Sequence, residues 1–285
     1  MKMGSSCYSC VVERAKYECD LVFSDDADKM DAIEEILDFM VSHKRSVPAV
    51  VGTARENIIK RRSGNLDPYI ELKVKSNEVA RKLLPLARSF YDQSDDKLEA
   101  LVRIASAANS MEFGVKGHNF DITNFEEIFE DTLREELDGD LNDAKRYLDR
   151  FDKILYITDN AGEIIFDLFV IERLEELGKR VVVAPKSAPV LNDITEDELR
   201  EMTDRQIEPT GPVVGISLDN IRPEVREILF DAEWLVLAKG MGNYETMTEF
   251  DDLLKKRLIY IFRAKCETVA RFLGVKKGSL VVRAV

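Results

Sequence analysis

Histidine is nearly missing from this chain. There are two in 285 residues, His43 and His118, too far apart to form an H-x-x-x-H motif on one helical face. Cysteine is sparse as well: of four, only Cys7 and Cys10 form a C-x-x-C pair, while Cys19 and Cys266 stand apart. Structural zinc usually takes a second such pair or a Cys/His complement, and neither exists. A catalytic metal would therefore rely on oxygen ligands, which favours magnesium or manganese, with cobalt or nickel tolerated. No apolar run approaches the ~20 residues that cross a bilayer. Met1 to Cys10 lacks the charged-then-apolar pattern of a signal peptide, so a cytoplasmic protein without a membrane partner is expected. Positive charge is in deficit too, with 41 Lys and Arg against 54 Asp and Glu. The net −13 repels nucleic acid at long range, and Lys60-Arg61-Arg62 reads as a solvated helix face. A small phosphorylated metabolite stays compatible, because a metal or a few Lys and Arg groups can meet its charge locally.

The hydrophobic fraction of 45% is enough to build a substantial core, in one large domain or two unequal ones. Up to about residue 150 the apolar residues fall at helical spacing. Met30, Ile33, Ile36, Leu37, Met40 and Val41 form one such set, and Val79, Leu83, Leu86, Ala87 and Phe90 another. Leu98, Leu101, Val102, Ala105 and Ala108 follow, then Phe125, Ile128, Phe129 and Leu133. Turns are expected at Val47-Pro48, Gly64 to Pro68 and Gly114 to Gly117. Residues 1–150 are thus expected to be a mainly helical domain. At Lys153 the pattern changes. Short apolar runs at Ile154–Ile157, Arg180–Ala184, Trp234–Ala238, Leu258–Phe262 and Leu280–Arg283 alternate with helical stretches, the first being Glu163 to Leu177. That alternation predicts right-handed crossovers and a mostly parallel sheet covered on both faces over residues 151–285. Ligands bind such sheets beyond the carboxyl ends of the strands, so chemistry is expected directly after each strand.

After the first of these runs comes Thr158-Asp159-Asn160-Ala161-Gly162-Glu163. Asp159 and Asn160 can ligate one hard cation, and the first-turn N–H groups of the following helix can hold a phosphate oxygen; Asp or Asn serving only as a helix cap is the plainer reading. After the second run, two prolines constrain a loop ending in Asn192-Asp193. Asp193 is a candidate third metal ligand and Asn192 a candidate substrate contact, with capping again the alternative. After the third run, Lys239-Gly240-Met241-Gly242-Asn243-Tyr244-Glu245 puts a lysine at the end of an apolar strand. There it can supply a point charge for phosphate, or snorkel to solvent. Neither the dinucleotide nor the P-loop glycine motif is present.

Taken together, these segments resemble the damage-control phosphatase family, catalogued as domain of unknown function number 89. The matches are Asp159 to Glu163, Pro189 to Thr195, Lys239 to Glu245, Asp67-Pro68-Tyr69 with Lys73 and Asn77, Ala107-Ala108-Asn109, and Lys265-Cys266, and they span nearly the whole chain. The Cys7–Cys10 pair resembles the prokaryotic branch. The resemblance implies a helical N-terminal part on a Rossmann-like α/β domain, with a divalent metal on Asp159, Asn160 and Asp193 and hydrolysis of phosphate monoesters of small metabolites. It also implies substrate-side roles for Lys239 and Asn243, and for Asn109 reaching in from the helices. Glu112 departs from the aspartate expected there.

Uncatalysed hydrolysis of phosphate monoesters is extremely slow, and catalysis consists largely of charge neutralisation and alignment. The expected arrangement has a metal-activated water attacking phosphorus and Lys239 with helix N–H groups on the phosphoryl oxygens. Asn109, Asn192 and Asn243 would orient the ester, and Glu163 would act as a base or a supporting group. Direct attack by Asp159 ranks second, because Asn160 breaks the D-x-D spacing of aspartyl-phosphate enzymes. The rivals are a non-catalytic module binding a phosphorylated metabolite and a methyltransferase; Ala184-Pro185-Lys186 ends the second strand without the acidic residue the latter favours. The cysteines are open to three readings: a redox pair, metal ligands or inert thiols.

Overall fold

The computed structural model describes residues 1–111 and 122–285. Glu112, the turn expected at Gly114 to Gly117 and His118 lie outside the described residues.

Three helices open the chain, α1 (Ser5–Val22), α2 (Asp26–Ser42) and α3 (Pro48–Ser63). They pack on one another through stripes at i, i+4 spacing, with Val11, Ala15 and Cys19 against Ala32, Ile36 and Met40, and both against Val51, Ile58 and Ile59. Local chemistry sets their ends. The Asp25 carboxylate accepts the Ala27 N–H at the start of α2, Pro48 occupies the first turn of α3, and Gly64 closes α3 in the left-handed region. Four more helices follow: α4 (Ile70–Gln93), α5 (Lys97–Ser110), α6 (Ile122–Arg134) and α7 (Leu141–Arg150), with a short strand, β1 (Leu137–Gly139), before the last.

The expected alternation then appears in the expected places: β2 (Lys153–Ile157), α8 (Glu163–Glu176), β3 (Arg180–Ala184), α9 (Glu196–Arg200), α10 (Pro223–Phe230), β4 (Trp234–Lys239), α11 (Met241–Met247), β5 (Leu258–Arg263), α12 (Glu267–Leu273) and β6 (Leu280–Ala284). The six strands form one sheet in the order β1-β6-β5-β4-β2-β3, parallel except where β6 runs antiparallel to β5. Side chains alternate across it with period two. Ile154, Tyr156, Leu235, Leu237, Ile259 and Ile261 share one core with apolar residues of α4, α5 and α8. Leu155, Ile157, Val236, Ala238, Tyr260 and Phe262 face the opposite way, into a core completed by Val225, Tyr244 and Val269 of α10, α11 and α12.

β1 is the strand that helical periodicity concealed. Leu137-Asp138-Gly139 is too short to show alternation and becomes a strand by pairing with the edge of β6. Apolar packing also runs without a break through Leu148, Phe151 and Ile154, while α1–α3 keep a core of their own. Among the described residues, no helix is long and apolar enough to cross a membrane.

The topology fixes where a ligand can go. β2 lies between β3 and β4, and the chain passes from β2 to β3 on one side before returning to β4 on the other. A doubly wound sheet opens a crevice at such a reversal, beyond the carboxyl ends of the diverging strands. The segments meeting there are those after β2, β3 and β4.

Candidate active site

Asp159 and Asn160 leave β2 and turn into α8 through Gly162, which has φ +81. The turn is tied from three sides. Asn77 of α4 accepts the Gly162 N–H at 2.7 Å, the Asn192 carbonyl accepts the Ala161 N–H at 2.8 Å, and the Ile194 N–H donates to the Asp159 carbonyl at 3.0 Å. Asn160 and Asp193 form an isolated antiparallel bridge. The loops after β2 and β3 are therefore locked to each other by backbone. The same bonds shrink the expected phosphate cradle: the Ala161, Gly162, Ile164 and Ile165 N–H groups all donate within the protein.

Two amides clasp the carboxylates. Asn160 Nδ2 donates to Asp159 Oδ2 at 2.8 Å and to Glu163 Oε1 at 2.6 Å. Asn109, at the end of α5, donates to Asp159 Oδ2 and to Glu163 Oε2, each at 2.9 Å. The Arg263 N–H donates to Asn109 Oδ1 at 3.0 Å, which fixes the way that amide faces. Asp159 is half-buried; burial and the neighbouring Glu163 carboxylate push its pKa up to about 7, against the opposing charges of Lys265 and Lys239.

Lys239 is placed differently from expectation. It neither snorkels nor projects free toward a ligand. Its fully buried ammonium pairs with Asp167 at 2.8 Å and Glu163 at 3.2 Å, and the Tyr156 hydroxyl donates to the same Asp167 oxygen at 2.6 Å. Burial lowers the lysine pKa, but the two carboxylates outweigh it and raise it overall. Lys239 is the counter-charge beneath the crevice floor. Asn243 also turns inward: its Nδ2 donates to the Thr158 and Lys239 carbonyls at 3.1 and 2.6 Å, stitching the ends of β2 and β4 together. Between these strand ends Gly240, at φ +83, lies so close to Asp159 that any Cβ would overlap its carboxylate.

Asp193 is buried beside Lys186 of the β3 loop, carboxylate to ammonium at 3.8 Å. Lys186 Nζ donates to the Gly215 carbonyl at 2.7 Å. Burial dominates both groups, raising the Asp193 carboxyl well above the usual carboxylate range and lowering the lysine. Asn192 is half-buried and joins the site through its backbone carbonyl.

The donor set suits a hard cation. Asp159 and Asp193 are crowded carboxylates on two interlocked loops, with the Asn160 amide between them, and both are pushed toward the neutral form by burial and by neighbouring carboxylates. Among the described residues, no three His, Cys, Asp or Glu side chains converge as a ligand group. An ion here would take two carboxylates and an amide, with its other positions open to water or substrate.

Residues 3–281 match the family model described as the damage-control phosphatase ARMT1-like domain. The chain belongs to this family. A damage-control phosphatase of Archaeoglobus fulgidus is 32% identical over 295 residues, covering 100% of both chains. One of Pyrococcus horikoshii is 34% identical over 247 residues, covering 84% of this chain and 82% of its own. The crystal structure of a domain-of-unknown-function-89 protein from Pyrococcus horikoshii superposes with a TM-score of 0.87 at 30% identity, covering 99% of this chain and 98% of that one.

In this family member, sequence reading missed several groups at the crevice. Asp167 went unnoticed, Lys186 was read only as part of the end of the second strand, and Asn77 and Lys265 stood only among matched segments. Glu163 and Asp167 are one helical turn apart, a spacing that puts both on one face of α8. Lys265 is half-buried after β5, with its charge felt at Asp159. All four cysteines are free thiols. Cys7 Sγ donates to the Thr268 hydroxyl at 3.3 Å, and Cys266 Sγ accepts the Val269 N–H at the start of α12. Burial pushes the Cys19 thiol up to about 11.

Proposed function

We propose that this member of the damage-control phosphatase family hydrolyses phosphate monoesters of small metabolites in the crevice beyond β2, β3 and β4. A divalent cation, magnesium or manganese with cobalt or nickel tolerated, would be held by Asp159, Asn160 and Asp193. The single observation behind this reading is the interlock of the Asp159–Asn160 and Asp193 loops. It brings two crowded, mutually repelling carboxylates together at the topological reversal of the sheet, where burial outweighs the lysine charges beside them. A bound dication supplies charge neutralisation at the phosphoryl group and activation of a water nucleophile.

The protein's own groups divide the remaining work. Asn109 and Asn160 hold the Asp159 carboxylate in one orientation, so that its oxygens are aimed before any ligand arrives. Glu163 acts through these amides as an orienting group, because it is fully buried and shared among Asn109, Asn160 and Lys239. With Lys239 ion-paired to Glu163 and Asp167, Lys265, whose charge acts on Asp159, would meet a phosphoryl oxygen. Asn192, half-buried at the loop edge, is left as the side chain to contact the ester's organic part. Water remains the favoured nucleophile over Asp159, whose Oδ2 already accepts two amide hydrogen bonds.

The test is phosphate release from phosphorylated sugars, nucleotides and cofactor fragments, with each of the four metals and with chelator. Metal-stimulated turnover is expected, falling at least about 100-fold in Asp159→Ala. Ligand-induced stabilisation without turnover would favour the non-catalytic module, and an Asp159→Ala protein with full metal-dependent activity would remove the proposed centre.

A further inference from the structure

Helix α3 belongs to the N-terminal trio, yet one of its faces reaches the crevice loops. Thr53, Glu56 and Lys60 are spaced three and four residues apart, which lines them up on one side. Thr53 Oγ1 accepts the Val214 N–H at 3.0 Å. Glu56 is almost wholly buried; one carboxylate oxygen accepts the Leu191 N–H at 2.7 Å and the other pairs with Lys60 Nζ at 2.7 Å. Lys60 in turn donates to the Pro189 carbonyl. The acid and the base thus grip one loop at two points, two residues apart.

The gripped stretch carries local strain. Leu191 has φ +49, in the left-handed region that a branched L-residue enters only at a cost. The next two residues are Asn192, whose carbonyl takes the Ala161 N–H, and Asp193, which bridges Asn160. A relaxed Leu191 would rotate both and break the interlock with the Asp159 turn. Thr53 steadies the second loop. Val214 precedes Gly215, whose carbonyl receives Lys186 and whose Cα packs on the Gly242 carbonyl with no room for a Cβ.

We propose that Glu56 and Lys60 are positioning residues: they hold Pro189–Asp193 in the strained conformation that delivers Asp193 to the cation. This rests on the metal-dependent reading above. The helical trio then takes part in the site without contributing a ligand to it.

The experiment is a manganese titration of the intact chain followed by electron paramagnetic resonance, with thermal melting measured in parallel. Glu56→Ala is expected to weaken manganese binding about 10- to 100-fold, as losing a group behind a ligand typically does. Glu56→Gln keeps an oxygen acceptor for the Leu191 N–H and should stay within about threefold of wild type. The decisive variant adds Leu191→Gly to Glu56→Ala. Glycine adopts positive φ without strain, so about tenfold of the lost affinity should return, whereas a clamp that merely supported folding would gain nothing at the metal from that change. Wild-type affinity in Glu56→Ala, or no recovery on adding Leu191→Gly, overturns the proposal. Should Glu56→Ala fail to fold, Lys60→Met decides: it leaves the Leu191 bond intact and is expected to weaken manganese about tenfold, and an unchanged affinity overturns the clamp. A wild-type chain that binds no manganese overturns the functional reading and the clamp with it, while tight wild-type binding with indifferent variants overturns the clamp alone.

Discussion

Gly240 sits where β4 passes into α11, and its missing side chain is what lets Asp159 occupy the crevice floor. Gly240→Ala must displace the carboxylate or the backbone. Activity is expected to fall at least about 100-fold, and the positive φ adds roughly 1–3 kcal/mol of strain; turnover and a denaturant melt on the same protein check both. Lys239 gives a sharper test, because its two descriptions differ in what they predict. As a counter-charge to Glu163 and Asp167, its replacement by Met strands buried carboxylates and should cost about 3–5 kcal/mol of stability. A lysine that only touched substrate would leave the melting curve unchanged. At this scale the sequence announced positions better than partners. The pair Asp159-Asn160 stood out because acid and amide follow a strand, and Lys239 because a charge ends one. Their partners include Asn109 and Asp167 on other elements, and no spacing within the β2 or β4 segments encodes those.

Among the elements, β2 to β6 were legible because each is a compact apolar run buried along most of its length. β1 was not, since three residues that become a strand only on pairing with β6 carry no period of their own. Element junctions also hold a pH dependence. Glu245 on α11 is buried, and its carboxylate accepts the Ala49 N–H in the first turn of α3. Burial pushes its pKa up from 4.5 to about 7, the terminal ammonium and Arg14 opposing. The folded chain then holds this proton more tightly than the unfolded chain. Its contribution is fully present below pH 4.5 and is lost as pH rises through 7. With about 1.4 kcal/mol per unit, the loss approaches about 3 kcal/mol. Glu245→Gln should flatten that part of the stability–pH profile, measured by urea unfolding between pH 4.5 and 8. A variant profile parallel to wild type would contradict the assignment.

Over the whole molecule, two layers of helices around a mostly parallel sheet bring the three crevice segments together, and α3, α4 and α5 each reach into them from the N-terminal side. The helical-then-alternating plan was legible from apolar spacing. The packing was not: α4 to α7 share the core of the sheet, and α1–α3 keep a separate one, because a helix's period says which face is buried but not against what. The proposed catalysis depends on one convergence, that of Asp159, Asn160 and Asp193 on a single ion. Anomalous scattering from manganese-soaked crystals of the full chain tests it directly. The predicted result is one strong peak about 2.2 Å from oxygens of all three side chains, with Asp193 drawn off Lys186. A peak elsewhere, or none while the Asp193–Lys186 pair stays intact, would contradict it.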